Sequence, residues 1–553
     1  MDTLLARFEA ATGRGRGITF IADGVSVRVP WTELFDDARS FAAALQARGV
    51  APGDHVALLG PTSRALVTAL QAAWLAGAAV VPLPLPLRLV SLDEFVAQTR
   101  GRVRQADTAW LIADPGMAGF MRPAPRDPPL IFLQELESSA SRVSPERYER
   151  PAVEATSLAV IQYTSGSTAD PRGVILPHGQ VCANIDAMTA GSGITDRDTI
   201  VSWLPMYHDM GLIGLLGVPM TVGAEVALAA PQEFLGSPGR WPEWLSAFGA
   251  TLTGGPNFAY ALAARTMARA SDLDLSAMRL AFNGAEPIDP EVVEAFTAAG
   301  ARFGLDPGSM FCVYGLAEAT LAVTFPDVGR GLATDDVDPR PLENEGVAVP
   351  AAWRDEGARR LPLLGRALPG MEVRVTDTST GATLPDRTVG EIEVSGPSIT
   401  PGYYRRPDAT AALFHGRWLR TGDLGYVVDG ELVVCGRLKD VIIVGGRKVF
   451  PQDVERAAAK VEGIRAGNVV AFGVQGRRSR EAVVVVAETR HENAELLRDA
   501  VADRVRSAVG LSPEDVVLVA PGTIPKTSSG KLQRSLSRDR YVAGRMARAG
   551  LDS

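Results

Sequence analysis

The spacing of apolar residues changes along the chain, and each change marks a different architecture. From Trp31 to Val50 apolar positions recur at helical spacing, until Gly49 and the pair Pro52-Gly53 end the run. His55–Leu59 then reads as an uninterrupted apolar strand, Ala65–Ala76 as a helix and Ala79–Pro82 as another strand. The alternation returns at Trp110–Ala113, Leu158–Ile161, Thr199–Leu204, Glu225–Ala229 and Met278–Phe282. Strands this continuously apolar, separated by helical stretches, predict parallel sheets covered on both faces. No internal repeat at the periods of solenoid proteins is visible.

Near residue 365 the period shortens to two. Met371–Thr376, Gly390–Ser395 and Gly430–Cys435 alternate apolar and polar residues between turn signals, which predicts antiparallel strands with one solvated face. From about Leu438 strands are expected at Val441–Val444, Asn468–Val474 and Glu481–Glu488, with a helix over 492–509, giving a small α+β domain. The arginine- and proline-rich stretch Arg122–Arg150 and the polar stretch Asp327–Arg360 read as surface insertions.

Composition narrows the function classes. A chain of 553 residues exceeds one ordinary core, so two or more domains are expected. A net charge of −8 argues against nucleic-acid binding, but not against ATP held by a local loop and a metal ion. Cys182, Cys312 and Cys435 lie far apart with no CxxC pair, which excludes a disulfide framework and a cysteine zinc site and fits a reducing cytoplasm. The first residues show no basic start before an apolar core, so no signal peptide is expected. Ala65–Leu87 and Met210–Ala224 are apolar but read as buried helix and strand rather than membrane spans.

The densest chemistry lies in Tyr163–Val174, a run of hydroxyls and glycines that follows an apolar strand. Such a loop presents N–H and O–H donors to phosphate oxygens, although by itself it is also compatible with a solvated turn. It is not a Walker A loop, because no Gly-Lys-Ser/Thr follows at the required spacing.

Five segments together resemble the adenylate-forming ligase superfamily, and within it the fatty acyl-AMP ligases. They are Tyr163–Val174, Trp203–Ile213, Leu273–Ile288, Tyr314–Thr320, and a carboxy-terminal set of Thr421–Gly425, Gly436–Asp440 and Ile524–Lys531. The resemblance spans essentially the whole chain. It implies an α/β fold: a large amino-terminal domain (1–436) of parallel sheets flanked by helices with a distorted β-barrel, and a small mobile α+β domain (437–553). It also implies that a carboxylic acid is joined to the α-phosphate of ATP with loss of pyrophosphate, after which the acyl group passes to a thiol.

Site roles follow from the resemblance, residue by residue. Thr164, Ser165, Gly166, Ser167 and Thr168 would hold the β- and γ-phosphates; Ala169 and Arg172 replace the more usual glycine and lysine. Glu318 would coordinate Mg²⁺. Asn283, Gly284, Ala285, Glu286, Tyr314 and Gly315 would wall the adenine slot, Asp423 would accept the ribose hydroxyls, and Arg437 would reach the ribose or phosphate. Lys531 would bridge the substrate carboxylate and the α-phosphate, with Lys526 a solvated neighbour on the same loop. Lys439 would be the hinge. His208 would border the acyl pocket near the reacting carboxylate, whereas a lone histidine in an apolar segment is otherwise a core residue. His178 is expected to be structural.

The acyl pocket is expected from Met206, Met210, Gly211, Ile213, Gly214, Thr253, Gly254, Gly255 and Phe258, a roomy apolar set without the carboxylate that an amino acid's ammonium would need. A medium- or long-chain fatty acid or another apolar acid fits best. The interval from Glu318 to Gly370 resembles the insertion of the acyl-AMP ligases that load carrier proteins, which is associated with hampered domain movement and CoA use. Its mostly polar sequence predicts no strong hydrophobic anchor. The expected acceptor is a carrier-protein phosphopantetheine thiol, with CoA as the alternative. Since no carrier domain follows Ser553, the acceptor is expected to be a separate molecule. A thioester-transfer protein that makes no adenylate, a nucleotide-binding scaffold and a luciferase-like oxygenase are the other classes, and Lys531 with Glu318 argues against the first two.

Overall fold

The computed structural model describes residues 3–86, 92–121, 124–164, 172–351, 355, 357–476, 481–491, 494–527 and 530–546. Two large sheets form the amino-terminal part. One runs in the order Leu130–Phe132, Trp110–Ala113, His55–Leu59, Ala79–Pro82, Leu158–Tyr163, Gly173–Pro177, parallel except for its last pair. The other runs Met310–Cys312, Leu280–Asn283, Leu252–Gly255, Thr199–Ser202, Glu225–Ala229, Gly17–Ala22, and ends on the antiparallel strand Val25–Pro30. The central strands are buried on both faces, which is why they read as continuous apolar runs. Local signals set the helices between them. Ser63 caps Arg64–Leu75 by accepting from the Leu66 N–H at 3.2 Å, and Gly193 ends His178–Ser192 in the left-handed region at φ 64°.

The antiparallel part pairs Glu372–Thr376, Gly390–Ser395, Trp418–Val428 and Glu431–Arg437 as the period-two pattern predicts. The long strand Trp418–Val428 carries Thr421-Gly-Asp423 in its middle, not at a turn between strands. Beyond it, Ile464–Gln475, Glu481–Thr489 and Asp515–Val519 form a three-stranded sheet. This sheet packs with Pro451–Ala459 and Ala494–Val509 around a separate core of Ile442, Val454, Val485, Val501 and Leu518.

Two stretches expected to be surface insertions are integral to the fold. Residues 122–150 supply the sheet strand Leu130–Phe132 and the helix Leu133–Ala140, whose Leu133 and Leu136 are buried. Residues 327–360 supply Thr334–Val337, paired with Arg359–Pro362, and the helix Pro339–Asn344. Val337, Leu342, Ala348 and Leu361 pack on Leu424, Tyr426 and Val433 of the antiparallel sheet and on Phe450 of the carboxy-terminal part. Val337 and Leu342 are fully buried, each contributing about 1.5–3 kcal/mol. The half-exposed pair Lys460–Glu291 contributes at most about 1 kcal/mol. The expectation of no hydrophobic anchor is therefore corrected: the apolar residues are few, but they share one face.

His178 is structural in this fold. Its Nδ1 accepts the Leu4 N–H at 3.3 Å, and burial pushes its pKa down to about 4 from 6.5. The folded protein thus binds this proton more weakly than the unfolded chain does, so stability falls as the pH drops from 6.5 towards 4. The expected loss at pH 5 is about 2 kcal/mol. A His178→Gln variant should lose that part of the acid sensitivity in denaturant titrations at pH 7 and 5; an unchanged pH dependence would contradict it.

Candidate active site

The carboxyl ends of the parallel strands converge, as expected where ligands bind open α/β sheets. Leu280–Asn283 delivers Ala285 and Glu286, Met310–Cys312 delivers Tyr314 and Gly315, Leu252–Gly255 delivers Asn257 and Phe258, and Leu158–Tyr163 delivers Thr164. All line one cavity of about 1020 Å³, which Asp423 and Arg437 close from the antiparallel sheet and Lys526 and Lys531 from the carboxy-terminal part. Ala285 holds φ at +67°, a left-handed value uncommon without glycine, at the turn from strand into cavity wall.

At the polar end the buried Asp423 joins the buried Tyr314 to the half-exposed Arg437. Its Oδ2 accepts the Tyr314 hydroxyl at 2.8 Å and its Oδ1 pairs with Arg437 Nε at 2.9 Å. Burial and the Asp423 charge push the Tyr314 phenol well above its ordinary range. Each carboxylate oxygen keeps a further acceptor site, so the cluster can still receive two hydroxyls. Glu318 lies along the same wall, with Oε1 accepting the Tyr403 hydroxyl at 2.7 Å.

Lys531 enters on a tight loop in which Thr527 donates to the Lys531 carbonyl at 2.8 Å and the Lys531 N–H donates to Thr527 Oγ1 at 3.1 Å. Gly530, at φ +88°, lets that loop lie against Phe258. Burial pushes the Lys531 amine below its ordinary range, and Asp209, Glu286 and Asp423 only partly offset this. Three residues on, Arg534 clamps Asp440 at 2.5 Å, Glu455 at 2.8 Å and the Ala471 carbonyl at 2.9 Å, tying the lysine loop to the turn Leu438–Asp440. Lys439, on that turn, also lines the cavity. Lys526 is not a solvated charge: it donates to the Gly467 carbonyl at 3.3 Å, and burial lowers its pKa against the pull of Glu488 and Glu286.

Several expected contacts fall differently. Glu286 lines the cavity, but its Oε1 accepts the Phe258 N–H at 2.7 Å, capping the helix Asn257–Met267. Asn283 and Gly284 stand behind the wall: Asn283 donates to Asn257 Oδ1 at 3.3 Å, and Gly284 packs on Val313. Ser165, Gly166, Ser167 and Thr168 lie outside the described residues. Asp209 was not singled out by the sequence, yet it touches His208 Nδ1 at 2.6 Å and accepts the Met210 N–H at 2.7 Å. Burial opposes its charge, but His208 and Lys531 hold the Asp209 carboxyl below its ordinary range.

The apolar part of the cavity is walled by Met188, Ile200, Met210, Leu215, Leu252 and Phe325, with Gly214 and Phe258 among the other lining residues. Strand alternation decides which expected pocket residues belong to it. A Cβ on Gly254 would meet Met210, Leu215 and Phe282, all lining residues. Thr253 and Gly255 face the opposite side: Thr253 accepts from Trp241 Nε1 at 3.0 Å, and a Cβ on Gly255 would lie 3.1 Å from the same ring. Gly211 packs on the Pro205 carbonyl, Ile213 is buried away from the cavity lining, and Met206 lines a separate small hollow with Leu58 and Leu70. These five residues are therefore framework, not lining.

The AMP-binding enzyme family matches residues 8–404. The chain belongs to this family. Within it, this AMP-binding enzyme is an adenylate-forming ligase and most resembles the fatty acyl-AMP ligases. It is 34% identical over 561 residues to the long-chain-fatty-acid–AMP ligase FadD28 of Mycobacterium tuberculosis, covering 95% of this chain and 94% of the relative. It is 32% identical to the medium-chain-fatty-acid–[acyl-carrier-protein] ligase JamA of Moorena producens, covering 93% of this chain and 90% of the relative. A structure from work on the fatty acyl-adenylate ligases of E. coli and L. pneumophila superposes with a TM-score of 0.90 at 31% identity, covering 98% of both chains. The AMP-binding enzyme has no helix among its described residues long and apolar enough to cross a membrane.

Proposed function

We propose that this ligase joins a medium- or long-chain fatty acid to AMP and then passes the acyl group to the phosphopantetheine thiol of a carrier protein. The observation that carries the reading is a single cavity whose lining joins the polar groups around Lys531 to a large apolar set that includes Phe258, Leu262, Met188, Ile200 and Leu252. Such a lining suits a long hydrocarbon chain, whose burial is favourable by roughly 25 cal/mol per Å² of apolar surface.

In the proposed reaction a carboxylate oxygen attacks the α-phosphorus of ATP, the bond to the bridging oxygen of the β-phosphate breaks, and pyrophosphate leaves with the electron pair. The Lys531 ammonium sits between the two meeting anions and stabilises the charge that builds on the α-phosphate. Asp423 accepts the ribose hydroxyls, Arg437 reaches from Asp423 towards the ribose and phosphate, and Tyr314 and Gly315 flank the base. Thr164 and the hydroxyls of 165–168 grip the departing phosphates. His208, braced by Asp209, lies beside the reacting carboxylate.

Glu318 would hold Mg²⁺. Among the described residues no group of three or more His, Cys, Asp or Glu could hold a metal ion, and one carboxylate suits a cation whose other ligands are phosphate oxygens and water. When bound, Mg²⁺ supplies charge neutralisation on the phosphates. In the second step the thiol sulfur attacks the acyl carbon and AMP leaves, after the unit beyond Gly436 has turned about Lys439 and withdrawn Lys531. The insertion's apolar seam with Phe450 restrains that turn, which favours a docked carrier over free CoA.

Mass spectrometry of the protein with ATP and a panel of acids tests the reading. Acyl-AMP should accumulate with medium- or long-chain acids and be discharged by a phosphopantetheinylated carrier. Equal discharge by CoA would replace the proposed acceptor, and no adenylate with any fatty acid would end the proposal. In the same assay Leu252→Phe, which fills the apolar walls, should move the preferred acid to shorter chains by a roughly tenfold or larger change in relative rate.

A further inference from the structure

We infer that Tyr403 is a positioning residue that aims the Glu318 carboxylate and couples it to the exit of the phosphate loop. The inference rests on the proposal that Glu318 holds Mg²⁺. Tyr403 is buried and stands behind Glu318; only Glu318 reaches the cavity. The phenol donates to Glu318 Oε1 at 2.7 Å, so one carboxylate oxygen is fixed and the other is left for a ligand. A carboxylate that serves as the one protein anion for a nucleotide-borne cation must be held in a single rotamer. Neighbours of a metal-binding carboxylate do this by hydrogen bonding to it.

The second half of the arrangement leads to the phosphate loop. The Arg172 guanidinium lies 5.2 Å from the centre of the Tyr403 ring, at the position where the residue type departs from the usual lysine. The strand that leaves the loop is stitched to the segment around Tyr403 by backbone bonds: Ile175 N–H to the Gly402 carbonyl at 3.0 Å and Tyr404 N–H to the Gly173 carbonyl at 2.8 Å. Thr400 closes the set. Its N–H donates to the Glu318 carbonyl at 2.8 Å and its hydroxyl to the Ile175 carbonyl at 2.6 Å. The phosphate-loop exit, Tyr403 and Glu318 are thus one connected unit drawn from three distant parts of the chain. A planar guanidinium stacks on a phenol ring in a way an ammonium does not, which gives the arginine at 172 a purpose.

The test is calorimetric titration of Mg²⁺ into the full-length protein with ATP and no acid, beside the Mg²⁺ dependence of pyrophosphate release. Tyr403→Phe keeps the ring, its packing and the Arg172 contact with the ring face, while removing the hydroxyl and its bonds to Glu318 and Arg172. It should weaken Mg²⁺ binding roughly ten- to hundredfold, leaving the acid KM unchanged. Arg172→Lys should act in the same direction but less. Glu318→Gln separates the two readings. If it weakens Mg²⁺ binding and Tyr403→Phe does not, the positioning role is overturned. If Glu318→Gln itself leaves Mg²⁺ binding unchanged, the assignment of the metal to Glu318 fails, and this inference with it. A loss of acid and Mg²⁺ affinity together in Tyr403→Phe would point to general disruption and would also overturn it.

Discussion

Replacing Lys531 by alanine is expected to lower acid-dependent pyrophosphate release by about 1000-fold, the scale of one preorganised charge-stabilising donor. The thermal midpoint should barely move. The lysine's amine is penalised by burial, and no described partner holds it at hydrogen-bonding distance, so its removal costs the fold little. Stopped-flow or coupled assays of pyrophosphate at saturating ATP measure the first quantity, and calorimetry the second. A variant that retained most of its activity would remove Lys531 from the mechanism. The amine must be protonated to act, and burial lowers its pKa. The alkaline fall of the pH–rate profile should therefore come earlier than for an ordinary lysine. Asp209 pulls in the other direction, so Asp209→Asn should bring that fall earlier still.

Asp423→Ala is expected to have the second largest effect, raising the KM for ATP by about 100-fold, equivalent to about 2.7 kcal/mol. Two losses combine. The ribose would lose its acceptor, and the Tyr314 hydroxyl and Arg437 cation would be left facing each other without the carboxylate that now joins them. The KM for the acid should change little, because the apolar walls lie beyond Phe258. Equal effects on both substrates would take the ribose away from Asp423. Asp423→Asn should fall between, since an amide oxygen still accepts while the charge partner of Arg437 is gone.

The parallel sheets were legible because strands buried on both faces cannot hide their composition: His55–Leu59, Ala79–Pro82 and Glu225–Ala229 are as predicted. Motif order carried the family, which the comparisons bear out. Side-chain direction was harder. Thr253, Gly254 and Gly255 look alike as a small-residue run, yet the pleat sends only Gly254 towards the cavity. That split follows from period two once the strand is placed, and was available in principle. Asp209 was hidden by its own context, since an aspartate before an apolar helix reads as a cap, and it does cap Met210. The contacts of Glu318 with Tyr403, 85 positions later, had no local signal at all. The anchor of the 327–360 stretch was masked by averaging: polar residues outnumber Val337, Leu342 and Leu361, but the pairing of Thr334–Val337 with Arg359–Pro362 gathers them on one face.

The clamp of Arg534 on Asp440 and Glu455 gives the carboxy-terminal part the properties of a lever without play. In the proposed mechanism the amine of Lys531 would be at one end and the turn at 438–440 the fulcrum. The guanidinium spans both, so the segment that follows Lys531 is tied to the turn by its ion pairs. If the proposed second step withdraws Lys531, the loop and the turn would then have to move together, leaving water less chance to meet the adenylate beside a half-retracted amine.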